Sequence, residues 1–169
     1  MASPLTIDEF RNFYKKGISK PTRYRVLTTG GSGAMRTLLA ESITLPSRSF
    51  STFTDNTYGE VRQFPYRHQY NTELVMTILL SEDQNERLWI EQWMNQFMRP
   101  NHHASPYQTY QNSSRMNIYM DSQTDKHTGT YKLYGVYPNS IIPSNYGYAM
   151  MNETAKLQVA FNYRRYTFS

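Results

Sequence analysis

The chain has 169 residues, 18 Lys and Arg against 13 Asp and Glu for a net charge of +5, and no cysteine. That length supports one domain, residues 1–169, with a sizeable core, and the missing cysteines exclude disulfides and thiolate metal sites. Hydrophobic residues make up 38% and charged residues only 18%, with 15 Tyr and 8 Phe, a balance that excludes a disordered chain.

The basic residues are scattered, with no run longer than Lys15-Lys16 or Arg164-Arg165. Nucleic-acid contact is permitted but not demanded. Asp8 and Glu9 stand where a secretory leader needs an apolar core, and no apolar run approaches membrane-spanning length. The expectation is a soluble protein made in a cytoplasm, with no membrane anchor. Tyr, Met and Arg in this abundance match the composition of protein–protein contact surfaces.

Residues 5–17 carry Leu5, Phe10, Phe13 and Tyr14 at loose helical spacing, and Gly17 is a plausible stop. A terminal helix this short needs something to dock on, so residues 1–19 read as a docking segment. Tyr24–Thr29 reads as a strand, Gly30–Gly33 as a turn, and Met35–Leu45 as the returning strand of a hairpin. Residues 46–58 read as a Ser/Thr-rich loop carrying Phe50, Phe53 and Tyr58. An ordinary solvent loop does not carry three aromatics, so they either fold back on the core or contact another subunit, and the second is the expectation adopted for residues 46–58. Extended structure resumes over residues 60–70, where Pro65 argues for an edge or a bulge.

Asn71–Leu80 is apolar on both faces and reads as a central strand. A helix over residues 82–98 follows. Ser81 and Gln84 have capping-box spacing, Glu82 and Asp83 suit the first turn, and Trp89, Ile90, Trp93, Met94 and Phe97 form one face. Residues 101–114 read as loop, Arg115–Met120 as a strand, and 121–128 as a turn. Tyr131–Tyr137 reads as a strand stopped by Pro138, paired antiparallel with Leu157–Tyr163 across a turn-rich connection. In the last strand Leu157, Val159, Phe161 and Tyr163 share one face. The total is about seven strands and two helices, without an internal repeat.

No stretch carries the pattern of a catalytic centre. Gly30–Ala34 lacks the last residue and the strand–turn–helix context of a nucleophile elbow, and the Gly-Lys-Ser/Thr ending of a phosphate loop. His102 and His103 are adjacent and do not converge easily on one metal, while His68 and His127 are isolated. The expectation is a protein that is not an enzyme and needs no cofactor or metal.

Taken in order, residues 20–166 resemble the tail tube proteins of contractile-tailed bacteriophages. The resemblance is carried by the basic-Pro entry Lys20-Pro21 before Tyr24-Arg25-Val26, and by a strand ending in Thr44-Leu45-Pro46. A strand pair then leads directly into the Trp-bearing helix, followed by Leu133-Tyr-Gly-Val-Tyr-Pro138 and the final Leu157-Gln-Val-Ala-Phe161 strand. Type VI secretion tube proteins and baseplate tube-initiating proteins share this architecture.

The resemblance implies a mainly β fold, a sandwich or partial barrel with one flanking helix. It implies hexameric rings whose inner strands join into a barrel around a channel, stacking into a hollow tube. The implied partners are other copies of the chain, a sheath protein, a tape-measure protein, a baseplate hub, a tail terminator, and DNA in transit. The implied location is the virion, after assembly in a host cytoplasm. Subunit contacts are expected at Phe10, Phe13, Tyr14, Arg48, Phe50, Phe53, Tyr58, Arg164, Arg165, Tyr166 and Phe168. Lumen-facing residues are expected at Arg36, Glu41, Glu60, Arg62 and Arg67, with at least one Arg offset by a Glu. Two alternatives are a tail-end adaptor of the same fold and a basic β domain that binds single-stranded nucleic acid through exposed rings.

Overall fold

Period-2 alternation of apolar residues builds two sheets around a shared core. The computed structural model describes residues 6–15, 19–30, 35–97, 114–144, 146–147 and 153–169. In chain order these form α1 (Ile7–Lys15), β1 (Tyr24–Thr28), β2 (Arg36–Leu38), β3 (Ala40–Ile43), β4 (Arg48–Asp55), β5 (Arg62–Tyr70) and β6 (Glu73–Leu79). Then come α2 (Asn85–Phe97), β7 (Arg115–Asp121), β8 (His127–Tyr134), β9 (Tyr137–Ile142), β10 (Lys156–Asn162) and β11 (Arg165–Phe168).

One sheet has the order β11-β8-β7-β1-β2, the second β3-β6-β10-β9, and β4-β5 stand apart as a two-stranded ribbon. All pairings are antiparallel. The first sheet gives Val26, Leu38, Met116, Ile118 and Leu133 to the core, and the second gives Leu74, Met76, Ile78, Leu157, Val159 and Phe161. The fold is therefore a β-sandwich, as expected. Leu157, Val159, Phe161 and Tyr163 are all buried, as their alternation requires.

Helix α2 seals the sandwich. Trp89, Ile90 and Trp93 are buried, and Trp93 stacks against Phe161 with ring centroids 5.8 Å apart. Met94 and Phe97 are partly buried against the same core. The helix begins at Asn85, three residues later than the spacing predicts, because Gln84 takes φ 51 and closes a turn onto Ser81. Glu82 and Asp83 thus precede the helix. The carboxylate that caps it is Glu86, which accepts from the Ser81 backbone N–H at 3.0 Å and the Ser81 hydroxyl at 2.8 Å.

Five further expectations are corrected. Residues 46–58 are not a loop: most of them form β4, paired along its length with β5. The 35–45 strand divides at Leu39, β2 joining the first sheet and β3 the second. Pro138 does not end a strand. Gly135, at φ 64, turns the chain from β8 in one sheet to β9 in the other, and Pro138 sits within β9. As an edge strand β9 tolerates the missing N–H. The 131–137 and 157–163 segments consequently do not pair: β8 lies between β7 and β11, and β10 between β6 and β9. The final segment, expected to be ordered only against another copy, forms β11 on β8 of its own chain. The expected loop at 101–114 falls outside the described residues, Ser114 excepted.

Candidate assembly surfaces

Three surfaces stand out: the β4-β5 arm and the two outward faces of the sandwich. Nine residues of β5 span about 30 Å at strand rise. None of the residues of β4 or β5 is buried. Phe50, Phe53, Phe64 and Tyr66 are each at least half exposed, and Tyr58 at the tip is 93% exposed. The tip is shaped by Asp55, whose carboxylate accepts from the Thr57 hydroxyl and backbone N–H at 2.5 and 2.9 Å. Those hydrogen bonds hold the Asp55 carboxyl below its ordinary pKa.

The arm is two-sided. Ser51 pairs with Arg67 and Thr52 with Pro65, so Tyr66 is the extra residue of a bulge, at the place Pro65 predicted. Phe50 pairs with His68, their rings 4.9 Å apart. Phe53 pairs with Phe64. Phe50 and Phe53 are three residues apart on one strand, so the two aromatic pairs lie on opposite faces.

The outward face of the second sheet carries Ser42, Thr77, Gln158 and Ser140, residues that alternate with its buried positions. Its Glu41 and Lys156 pair at 2.7 Å. The outward face of the first sheet carries Arg25, Arg115, Lys132 and Arg165 against Asp121. Asp121 accepts from Arg25 Nε at 2.7 Å and lies 3.8 Å from His127 Nδ1. The Arg25 hydrogen bond most of all holds the Asp121 carboxyl low; burial opposes it next, and the Arg25 charge and His127 add to the lowering.

The residues expected to line a lumen are dispersed. Glu41 lies on β3, while Arg62 and Arg67 lie on β5 of the arm, with Glu60 in the turn before it. Arg36 lies on β2 with its guanidinium 5.6 Å from the Trp89 ring centroid. Glu41 pairs with Lys156 rather than with an Arg.

The residues expected at subunit contacts fall into three places. Arg48, Phe50, Phe53 and Tyr58 belong to the arm. Phe10 and Tyr14 stack on each other at 4.7 Å on α1, more than half exposed, and Phe13 lies on the same helix. Arg165, Tyr166 and Phe168 belong to β11, with Arg164 just before it. The sequence reading missed β11 because four residues after a buried strand give too short a pattern to register.

Among the described residues no group of three His, Asp or Glu is placed to hold a metal ion. No described helix is long and apolar enough to cross a membrane.

A family profile described as phage tail tube protein matches residues 11–169. No curated protein sequence matches. Among solved structures, a chain of the sheath–tube complex of an extracellular contractile injection system, PVC, in its extended state superposes with TM-score 0.68 at 13% identity, covering 98% of both chains. A chain of the anti-feeding prophage baseplate superposes with TM-score 0.67 at 12% identity, covering 90% of this chain and 97% of the other. A chain of the anti-feeding prophage tube-terminating cap gives TM-score 0.67 at 14% identity, covering 90% and 91%. At such identities the likeness is one of fold.

Proposed function

This chain belongs to the phage tail tube protein family, and on that premise we propose that it self-assembles into hexameric rings that stack as a hollow tube inside a contractile sheath. The observation that carries the reading is the β4-β5 arm. A two-stranded ribbon is marginal in water by itself, and this one displays aromatic pairs on both faces with no residue buried. Insertion between neighbouring copies covers both faces at once. Repeated head-to-tail contact of that kind closes rings and builds filaments. α1 and its Phe10–Tyr14 pair form a second docking element, because a nine-residue helix gains little stability by itself.

For the channel wall we favour the outward face of the four-stranded sheet. Its side chains are mostly uncharged, Ser42, Thr77, Ser140 and Gln158 lying among Val75, Leu79 and Ile142, and its Glu41 is neutralised by Lys156. A wall of that character lets a tape-measure protein sit and DNA slide, because few phosphates are neutralised on the way through. Glu41 keeps its place on the wall. Arg36, Glu60, Arg62 and Arg67 are moved to contacts between subunits. The role is structural, and no step of it calls for catalysis or a cofactor.

Electron microscopy of the purified protein tests the reading. Stacked six-fold rings with an open lumen are the expected result. Single rings that never stack would favour a tail-end adaptor, and a monomer at every concentration would overturn self-assembly.

A further inference from the structure

We propose that the outward face of the five-stranded sheet, centred on Arg115, Tyr134 and Arg165, docks an acidic segment of the sheath protein; this rests on the tube reading above. These residues come from three adjacent strands in one register row: Tyr134 of β8 pairs with Arg115 of β7 on one side and Arg165 of β11 on the other. The two guanidinium carbons stand 5.9 and 5.0 Å from the centroid of the Tyr134 ring. Lys132, two residues along β8, adds a third cation to the same face.

Arg23, Arg25, Arg87 and Lys156 each hold a carboxylate of their own chain. Among the described residues no carboxylate pairs with Arg115, Lys132 or Arg165. Other cations, such as Arg48, Arg62 and Arg67 of the arm, also pair with no carboxylate among the described residues; what distinguishes this row is that its cations sit side by side on adjacent strands of one sheet face. Cations placed together without counter-charges fit an anionic partner. Both guanidiniums lie within cation–π range of the Tyr134 ring, a contact that uses none of their N–H donors. The planar guanidinium fork matches the two oxygens of a carboxylate.

The chemistry favours an acidic protein over nucleic acid. A single-strand platform offers open aromatic faces to successive bases, whereas the Tyr134 ring is already engaged by two guanidiniums. Position favours the outside of the tube. Facing the lumen, three unpaired cations per subunit would retain passing DNA, while the opposite face of the sandwich is nearly neutral. The partner that meets the outside of a tube is its sheath.

The test is co-sedimentation of the purified cognate sheath protein with wild type and with the Arg115→Ser/Arg165→Ser variant. Both residues are exposed, so the fold is not at stake, and a thermal melt checks it. Capture should weaken roughly tenfold in the variant and fall with salt in wild type. Arg87→Ser, which removes an ion pair off this face, should leave capture unchanged. Tube formation is read separately by microscopy. Variant tubes that still capture sheath normally would overturn the docking surface and leave the tube reading standing. Failure of wild type to form tubes would overturn the tube reading, while capture by the soluble protein would still report on the surface. A single-stranded oligonucleotide run in the same assay decides the other source of anions. Oligonucleotide binding lost in the variant while sheath capture persists would overturn the proposal in favour of a nucleic-acid site.

Discussion

Gly30 lies directly against the Trp93 ring: a Cβ added at Gly30 would fall 2.4 Å from Trp93 Cζ2 and 2.5 Å from Cε2. Real Cβ atoms do not approach that closely, and the ring is wedged against Phe161, so neither partner can yield cheaply. Gly30→Ala should therefore destabilise the fold by about 1–3 kcal/mol through overpacking. Trp93→Ala should cost roughly 3–5 kcal/mol through the cavity it leaves. Equilibrium unfolding of both variants checks this; a wild-type midpoint for Gly30→Ala would show that the two elements are not pressed together.

That contact marks the boundary of what was legible beforehand. The alternation of Leu157–Tyr163 and the apolar face of α2 are local patterns imposed by the core, and both were readable. Gly30 read as an ordinary turn glycine, because its constraint comes from a side chain over sixty positions later in the chain. β4 read as a loop because neither of its faces meets the core, so no alternation was imposed on it. The jump between sheets at Gly135 and the pairing of β8 with β11 are choices among strands that propensity does not distinguish. The contact surfaces were partly legible, as aromatics with no place inside one domain. Which charges share a face depended on pairing, and was not.

Glu86 should make stability fall at low pH. Its carboxylate accepts from the Ser81 backbone N–H, and that bond most of all holds its pKa below the ordinary value. The group is half-buried, so the effect is modest. A depressed pKa in the folded state contributes stability that is present above the unfolded value, about 4.3, and is lost as pH falls through the folded value. Glu86→Gln should destabilise the protein at neutral pH, with the difference from wild type closing in acid. A difference independent of pH would show that the charge has no part in the cap.

The arm should be dispensable for folding and necessary for assembly. Phe50 and Phe53 are 54% and 62% exposed, so changing both to Ser should shift stability by only about 0.5 kcal/mol. The double variant should remain a folded monomer that forms no tubes. Each single variant should weaken assembly, because the two rings serve opposite faces. Normal tubes from the double variant would remove the arm from the interface.

The two ends of the chain should behave differently in hydrogen exchange. β11 is paired with β8 in its own chain, the Ser169 and Thr130 backbones exchange both hydrogen bonds at 3.1 and 2.8 Å, and Phe168 stacks on Tyr131 at 4.7 Å. Its amides should be protected in the monomer and in the tube alike. α1 should exchange quickly in the monomer and slowly in the tube, because fixing each residue costs about 1–2 kcal/mol that only a docking partner offsets. Fast exchange of α1 in both states would end its role as a docking segment.

The channel wall can be tested by placing a probe on it. Gln158 of β10 is exposed and sits opposite Thr77, on the face assigned to the lumen. The native chain has no cysteine, so Gln158→Cys gives a single thiol, and Lys132→Cys gives a matching one on the other face of the sandwich. Both positions are exposed, so both single variants should fold and assemble. In finished tubes a small maleimide should label both thiols, whereas a maleimide on a polymer too wide for the lumen should label only Cys introduced at Lys132. The argument rests on access: a lumen thiol is reached only from the tube ends, while an outward thiol is reached along the whole length. Equal labelling of both by the wide reagent would mean that the four-stranded sheet does not face the channel. Protection of the Lys132 position alone would reverse the sandwich, and would put the unpaired row of Arg115, Lys132 and Arg165 on the inner wall, where it would grip DNA.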